Sequence, residues 1–543
     1  MIFSLEGIWM WIKKNISVRD VLVVVGLYAL FLLTRLINLE KLPIFSDEGI
    51  YINWAHTAWK DASLRFISLT DGRQPLQTWG TIPFLKLFPQ DKVLAARLFA
   101  VSAGFYALTG VIVSGWTLFT KRVGMIAGLL YVVTPYFVFY DRIALVDSFV
   151  NGSTIWMFFL SVYMARTLRL DIAMILGGVT GFALLGKSSV RLYAGLMLFA
   201  GIFVLYERHQ GHVLELFTRL KSLVIGSENR VMKVLSFVFL YGVVMGIALL
   251  IYNVQRLSQF MHYVEMKNTT FVLTLPELIQ NPFAYFPHNI QNIPTYIFME
   301  TGYLLPILAL AGLWMMWKKD KLMSMYFSVW ILVATFALAF VAKVLFPRYV
   351  LSIGGLLLLP AGYYLAHITS KKILGSIVIL YVLISGYMIS VFLFNPVKLP
   401  FPEVDRGQYL EGWTAGYGVE EIVTYAREHS EGKRVIFIAQ GDFGMSGDVL
   451  RAYIHDGEDM FVRAYWPLTD VQLIENQKEL ETSKVFVVYG HCKEPAYIGD
   501  VLNDDKCYTF EDSKPLREIQ RYVKPGNKAA IYLFELLPSQ NEL

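Results

Sequence analysis

Apolar residues fill the first three quarters of the chain in long blocks separated by short polar gaps. The blocks lie near 20–38, 93–119, 122–140, 143–165, 171–186, 189–206, 234–252, 302–317, 323–345, 348–367 and 373–394. A helix needs about 20 mostly apolar residues to cross a bilayer, so about eleven spans are expected. If the N-terminus is inside, the inner gaps are all basic. They carry Lys121 and Arg122, then Arg166 and Arg169, then Arg208, Arg219, Lys221, Arg230 and Lys233, then Lys318, Lys319 and Lys321, and last Lys371 and Lys372. That asymmetry orients membrane proteins with their positive loops in the cytoplasm, and an odd span count puts the C-terminal part outside. The first block follows Lys13, Lys14 and Arg19, and no small-residue cleavage site comes after it. It is expected as an uncleaved first span.

Two gaps on the outer side are long, 40–92 and 252–301. They hold aromatic, amphipathic pieces such as "GIYINWAHTAWKD" and "FMHYVEMKN". In the first, Ile50, Tyr51, Trp54, Ala55 and Ala58 share one helical face, so the piece is expected to lie in the headgroup plane with that face down. The pattern changes after the Pro-rich connector "NPVKLPFPEV". "RVIFIAQG", "KVFVVYG" and "AAIYLFEL" read as strands, whereas "GVEEIVTYAREHS", "DVQLIENQKELE" and "PLREIQRYVK" read as helices. The expected fold class is an α-helical polytopic membrane protein with a C-terminal soluble α/β domain. The membrane part is placed at 1–394, with outer loops 40–92 and 252–301, and the extracytoplasmic α/β domain at 395–543.

Composition agrees. Of 543 residues, 55% are hydrophobic and 17% charged, with a mean hydropathy of +0.49, too apolar for a soluble chain of this size. The net charge of +5 decides little, and no basic tract with interleaved aromatics points to nucleic acid. The two cysteines, Cys492 and Cys507, both lie in the tail. A disulfide and two separate buried thiols fit equally well, and no Cys/His cluster suggests a structural metal. His262 and Glu265 are three apart, a spacing a divalent metal can use, but the edge of an interfacial helix explains them more simply. No cofactor is required by these residues.

Charged residues at span ends carry the remaining signal. Asp47, Glu48, Arg73, Asp141, Arg142, Asp147, Lys187, Arg191 and Arg348 all fall on the outer side. A charge inside a bilayer costs roughly 2.5–3.5 kcal/mol on insertion scales. Any one of these can be a solvated turn residue, but acids and bases converging on one face point to a site. Ser46, Asp47 and Glu48 also suit a helix N-terminus, as cap and dipole partners.

Several stretches resemble the GT-C superfamily of membrane glycosyltransferases. "LPIFSDEGIYINWA" is similar to the acidic first outer loop of that superfamily. "GRQPLQTWG" resembles the Lys-Pro-Pro-Leu or His-Pro-Pro-Leu element of its prokaryotic protein O-mannosyltransferase and aminoarabinose transferase branches, with Arg73-Gln74-Pro75-Leu76 in its place. "YDRIALVDSFV", "LLGKSSVRLYAGL" and "FPRYVLSIGGLLLLP" resemble the Arg/Asp turn, the Lys turn and the Arg-Tyr entry to a late span. "DRGQYLEGWTAGYGVEE" is similar to the start of the outer domain. No WWDYG-like element and no β-trefoil insertion occurs, which disfavours an oligosaccharyltransferase and weakens the case for a protein acceptor.

The resemblance implies a mannosyltransferase-like enzyme of the plasma (inner) membrane. It would take a sugar from a polyprenyl-phosphate donor and pass it, with inversion, to a hydroxyl of a protein, glycan or lipid. On that reading Asp47 is the general base and Glu48 its support. Arg73, Lys187, Arg191 and Arg348 hold the lipid phosphate, with Arg142, Asp147 and Tyr349 on phosphate or sugar. Lys187 and Arg191, four apart, would share a helix face. The rival is a transporter or lipid-handling protein. No internal repeat or matching pair of broken spans favours it.

Overall fold

A computed structural model describes residues 16–206, 230–492 and 515–538. Lys13, Lys14, Arg208, Arg219, Lys221 and Cys507 lie outside the described residues, so the disulfide question and part of the basic inner loops do too. Each of the eleven apolar blocks is helical. That of 122–140 is split into Lys121–Val133 and Pro135–Tyr140, because Pro135 has no N–H to continue the ladder. Among the described residues five helices are long and apolar enough to cross a membrane: Lys92–Leu118, Val231–Leu257, Lys321–Val341, Pro347–His367 and Lys371–Phe394. A bent pair, Phe286–Glu300 with Leu304–Lys319 at 107°, makes up to six. The chain is a multi-pass membrane protein.

Pro347–His367 is the centre of the bundle, with 89% of its most apolar window buried by protein. It lies against Leu304–Lys319 at a very close crossing. A Cβ on Gly312 would meet the Pro360 carbonyl oxygen at 1.9 Å, so only glycine lets the two backbones touch. Arg348 lies in the first turn of this central helix, which fixes that side chain on a rigid element.

The C-terminal part carries a five-stranded sheet in the order β2-β1-β3-β5-β4. β1 is Arg434–Gln440, β2 Met460–Tyr465, β3 Ser483–Cys492, β4 Leu516–Val523 and β5 Ala529–Leu536. β1 pairs in parallel with β2 and β3, while β5 pairs antiparallel with β3 and β4. The strands expected at 434, 483 and 529 are present, as are helices Val419–Glu428 and Asp470–Gln477. "PLREIQRYVK" is not a helix but the edge strand β4. A bulge between Glu518 and Gln520 breaks its alternation, so Leu516, Ile519 and Tyr522 all reach the domain core at a three-residue spacing that mimics a helix. β2 and the helix Gly447–Tyr453 had no clear sequence signal.

The amphipathic piece near residue 50 is a helix, Ser46–Lys60, but its apolar face does not meet lipid headgroups. It packs between Leu76–Leu87 and Gly447–Tyr453, and Ile50, Trp54, Ala55 and Ala58 are buried by protein. A Cβ on Gly49 would meet the Val449 side chain at 2.8 Å. The sheet-bearing part therefore sits directly on this helix, and Asp47 lies in its first turn.

Candidate active site

The N-terminus of Ser46–Lys60 is fixed from three sides. Ser46 N–H donates to Thr414 O at 2.9 Å, and Phe45 forms a β-bridge with Ala415. Phe45 N–H donates to Glu48 Oε2 at 3.1 Å. Glu48, not Ser46, therefore satisfies the orphan backbone group of the first turn.

Glu48 has little freedom for anything else. Arg97 Nε and Nη2 donate to its two oxygens at 3.0 and 3.1 Å, and Ala144 N–H donates at 2.8 Å. Both side chains are buried. Arg97 Nη1 also bonds the carbonyls of Leu39 and Leu42. The pair thus ties the loop after Val18–Leu36 to the span Lys92–Leu118 and to the turn at 141–146, and turns Glu48 away from Asp47. Removing one partner of such a buried pair costs about 3–5 kcal/mol. Arg97→Ala is expected to lower the unfolding midpoint of the purified protein by many degrees; an unchanged melting curve would show the pair to be dispensable.

Asp47 points the other way. Arg73 Nη2 donates to Oδ1 at 3.0 Å and Arg348 Nη2 to Oδ2 at 3.1 Å. Burial alone would raise its pKa, but the charges of Arg73 and Arg348 hold the carboxyl below the ordinary value. It is ionised at neutral pH. Arg73 is steadied in turn by Asp71 at 2.9 Å, and Lys267 binds the other Asp71 oxygen at 2.8 Å. Arg348 lies among the rings of Phe45, Phe346 and Tyr349, 5.2–5.6 Å from their centroids. Among the described residues its Nη1 is buried with no hydrogen-bond partner, a donor open to an acceptor.

Beside Arg348 opens a small recess, partly open to solvent. Its polar lining includes Asp147, Lys187, Ser189, Arg348, Tyr349 and Ser352. Lys187 Nζ bonds Asp147 Oδ1 at 2.6 Å and stands 4.2 Å over the Tyr349 ring. The Arg73-Gln74-Pro75-Leu76 element is locked to the Lys187 turn, since Gln74 Nε2 donates to Ser188 Oγ at 2.6 Å and Leu76 N–H to Leu185 O at 3.1 Å. Asp47, Arg73, Asp147, Lys187, Arg348 and Tyr349 thus form one connected group.

Arg142 and Arg191 stand apart from it. Arg142 donates to the carbonyls of Thr34, Arg35, Ile37 and Asn38, closing the C-terminal end of the helix Val18–Leu36. Arg191 is exposed and its Nη2 donates to Tyr252 Oη at 2.9 Å. It does not share a helix face with Lys187, because the helix Val190–Leu196 begins only after the Lys187 turn. The buried pair of Arg35 with Asp141 at 3.1 Å is a further brace. Asp405, which feels the charge of Arg348, accepts from Tyr140 Oη, and burial pushes its carboxyl up to about 6. Arg35 and Arg97 carried a sequence signal, as charges within apolar blocks, whereas Asp405, beyond the last block, carried none. Among the described residues no three His, Cys, Asp or Glu side chains are placed to hold a metal ion. His262 Nδ1 lies 2.9 Å from Gln259 O.

An ionised carboxylate between two guanidiniums, with a lysine and a spare buried N–H next to it, suits an anion that takes over the guanidiniums from Asp47. No family model and no curated protein matches the sequence. Solved structures do. ArnT from Cupriavidus metallidurans bound to undecaprenyl phosphate superimposes with a TM-score of 0.58 at 13% identity, covering 94% of this chain and 97% of that one. Its apo state gives 0.57 at 12% identity with the same coverage. The archaeal oligosaccharyltransferase AglB from Archaeoglobus fulgidus, in complex with an inhibitory peptide and a dolichol-phosphate, overlaps at 0.46 and 11% identity over 88% of this chain and 70% of its own, too loosely to bear on it. The chain therefore shares its overall fold with ArnT.

Proposed function

We propose that this chain is a glycosyltransferase that moves a sugar from a polyprenyl-phosphate donor to an acceptor hydroxyl on the outer face of the membrane, with inversion. The observation that carries the reading is the Arg73–Asp47–Arg348 clamp, whose Arg348 also lines the recess. The donor's lipid lies along the bundle, and its phosphate enters the recess against Arg348 and Lys187. Phosphate oxygens recruit the spare Arg348 Nη1 and compete for the guanidiniums. Asp47, released from part of its clamp, becomes a better proton acceptor. As the acceptor oxygen bonds to the anomeric carbon, its proton passes to Asp47. The bond from that carbon to the phosphate oxygen breaks, and its electron pair leaves with the lipid phosphate, which Arg348 and Lys187 stabilise. Attack opposite the leaving group inverts the anomer. Asp147 holds Lys187 in place, Tyr349 supports it, and Glu48 acts as a positioning residue through the helix. The fold shared with ArnT, seen with undecaprenyl phosphate, is consistent with a lipid-phosphate donor.

Residues 1–394 would carry the transfer and 395–543 the outer domain. The acceptor is a protein, glycan or lipid, and the membrane is the plasma membrane with the N-terminus in the cytoplasm. A transporter is less well supported, because the clustered charges lie at the span ends rather than along a central path. The test is release of free polyprenyl phosphate from a labelled polyprenyl-phosphate sugar by the reconstituted chain, with the sugar recovered as the opposite anomer. No release from any hexose or pentose donor overturns the reading. Sidedness has its own test. Single cysteines placed at 255–300 or 410–530 are expected to react with an impermeant reagent in intact cells, whereas one near Lys319 stays silent. The reverse pattern would put the clamp on the wrong face.

A further inference from the structure

The loop that follows β1, "GDFGMSG" at 441–447, reaches from the sheet onto the clamp. Gly441 and Gly444 have φ of +88° and +78°, the left-handed region that favours glycine. A Cβ on Gly444 would meet Ser46 Oγ at 2.3 Å, so the loop touches the residue next to Asp47. It is pinned there. Asp448 Oδ2 accepts from Gly444 N–H at 2.8 Å, and Asp448 Oδ1 accepts from Asn53 Nδ2 at 2.8 Å.

What this framework presents is Phe443. Its ring lies 5.9 Å from that of Trp54 and 5.9 Å from the Arg73 guanidinium, which also stands 5.4 Å over Tyr51. Trp54 is 6% exposed, but Phe443 remains 50% exposed. A rigid loop that holds a phenyl face open beside a catalytic clamp has not used that face for packing. Its place in the sheet points the same way. β1 is the middle strand of the parallel trio, with the chain passing to β2 on one side and β3 on the other. Open α/β sheets bind ligands at the carboxyl end of the strand where the order reverses, which is where this loop lies.

We infer that Phe443, with Trp54 and Tyr51 behind it, is the acceptor subsite, and that the acceptor it takes is a saccharide. The inference rests on the transferase reading above. The donor phosphate occupies the Arg348–Lys187 side of Asp47, so the acceptor hydroxyl approaches from the Arg73 side, where Phe443 stands. A sugar ring fits both halves of that wall. Its C–H face covers an aromatic ring, and its hydroxyls bond the guanidinium of Arg73 and the carboxylate of Asp47. The outer domain thereby acquires a role: it holds the acceptor.

The experiment uses the full chain in proteoliposomes, a radiolabelled polyprenyl-phosphate sugar, and graded amounts of heat-treated membranes from the same cells lacking the chain as acceptor. Phe443→Ala is expected to raise the acceptor amount for half-maximal transfer by roughly fivefold to tenfold. The maximal rate and the thermal protection given by undecaprenyl phosphate stay unchanged. Phe443→Tyr restores wild-type behaviour. Phe461→Ala, which removes an equally exposed ring (49%) from the opposite end of β2, has no effect. The labelled product resists proteinase and mild alkali, as a glycan does. Equal acceptor dependence in Phe443→Ala overturns the inference, and so does label released from protein by alkali. Absence of transfer by the wild-type chain overturns the transferase reading and this inference with it.

Discussion

Asp47→Asn is expected to lower sugar transfer by a factor on the order of 10²–10⁴, the usual share of a general base. The amide keeps the shape and one acceptor for the flanking guanidiniums but has no carboxylate to receive the proton. Donor binding should be kept or tightened, because a neutral amide competes with the phosphate less strongly than the carboxylate for Arg73 and Arg348, which lie 3.0 and 3.1 Å from it. The helix-terminus explanation of Asp47 gives the opposite result. If the carboxylate served only the helix, Asn would replace it with little loss. The structure already speaks against a capping role, since Glu48 makes the backbone contact and both Asp47 oxygens go to arginines. Glu48→Gln should act mainly on stability, through the Arg97 pair. An Asp47→Asn chain with wild-type turnover means that the proton goes elsewhere.

Arg348→Ala has the second large effect. It removes a guanidinium that sits at the recess, contacts Asp47 and keeps a buried donor without a partner. Hydrogen bonds to charged groups contribute about 1.5–3 kcal/mol, so donor affinity should fall by roughly 10- to 100-fold. Arg348→Lys should recover only part of it, because a point charge cannot reproduce the planar fork. Arg73→Ala should weaken donor binding less, as Arg73 faces the other side of Asp47. Titration of each variant with undecaprenyl phosphate checks this. Equal affinity in all of them would make Arg348 a headgroup contact only.

Much of the membrane part was legible because lipid imposes a long, simple signal. Every apolar block is helical, and the span-end charges Asp47, Arg73, Asp147, Lys187 and Arg348 come together. Signals that depend on partners far away in sequence were not legible. Arg142 has the sequence signature of a substrate ligand, yet it serves four carbonyls at the C-terminal end of the helix Val18–Leu36. Arg191 was paired with Lys187 by helical spacing, and a turn between them broke that geometry. The apolar face of the helix Ser46–Lys60 suggests a place on lipid because its partner is not visible in the sequence. The partner is the helix Gly447–Tyr453, about 400 residues later. β4 imitated a helix through one bulge. Phe443 gave no signal at all, since its meaning comes only from Trp54 and Arg73 beside it.

The clamp and the recess together make one claim, that the site is built for a lipid-linked phosphate. The direct measurement is thermal unfolding of the purified full chain with a panel of polyprenyl-phosphate sugars, undecaprenyl phosphate and undecaprenol. A ligand that binds only the folded state at 100 times its Kd adds about 2.7 kcal/mol. The phosphate-bearing lipids should therefore raise the unfolding midpoint, one sugar donor most of all, while undecaprenol does not, and Arg348→Ala should lose the shift. Equal shifts from the phosphate and the alcohol, or none from either, would contradict the assignment of this site.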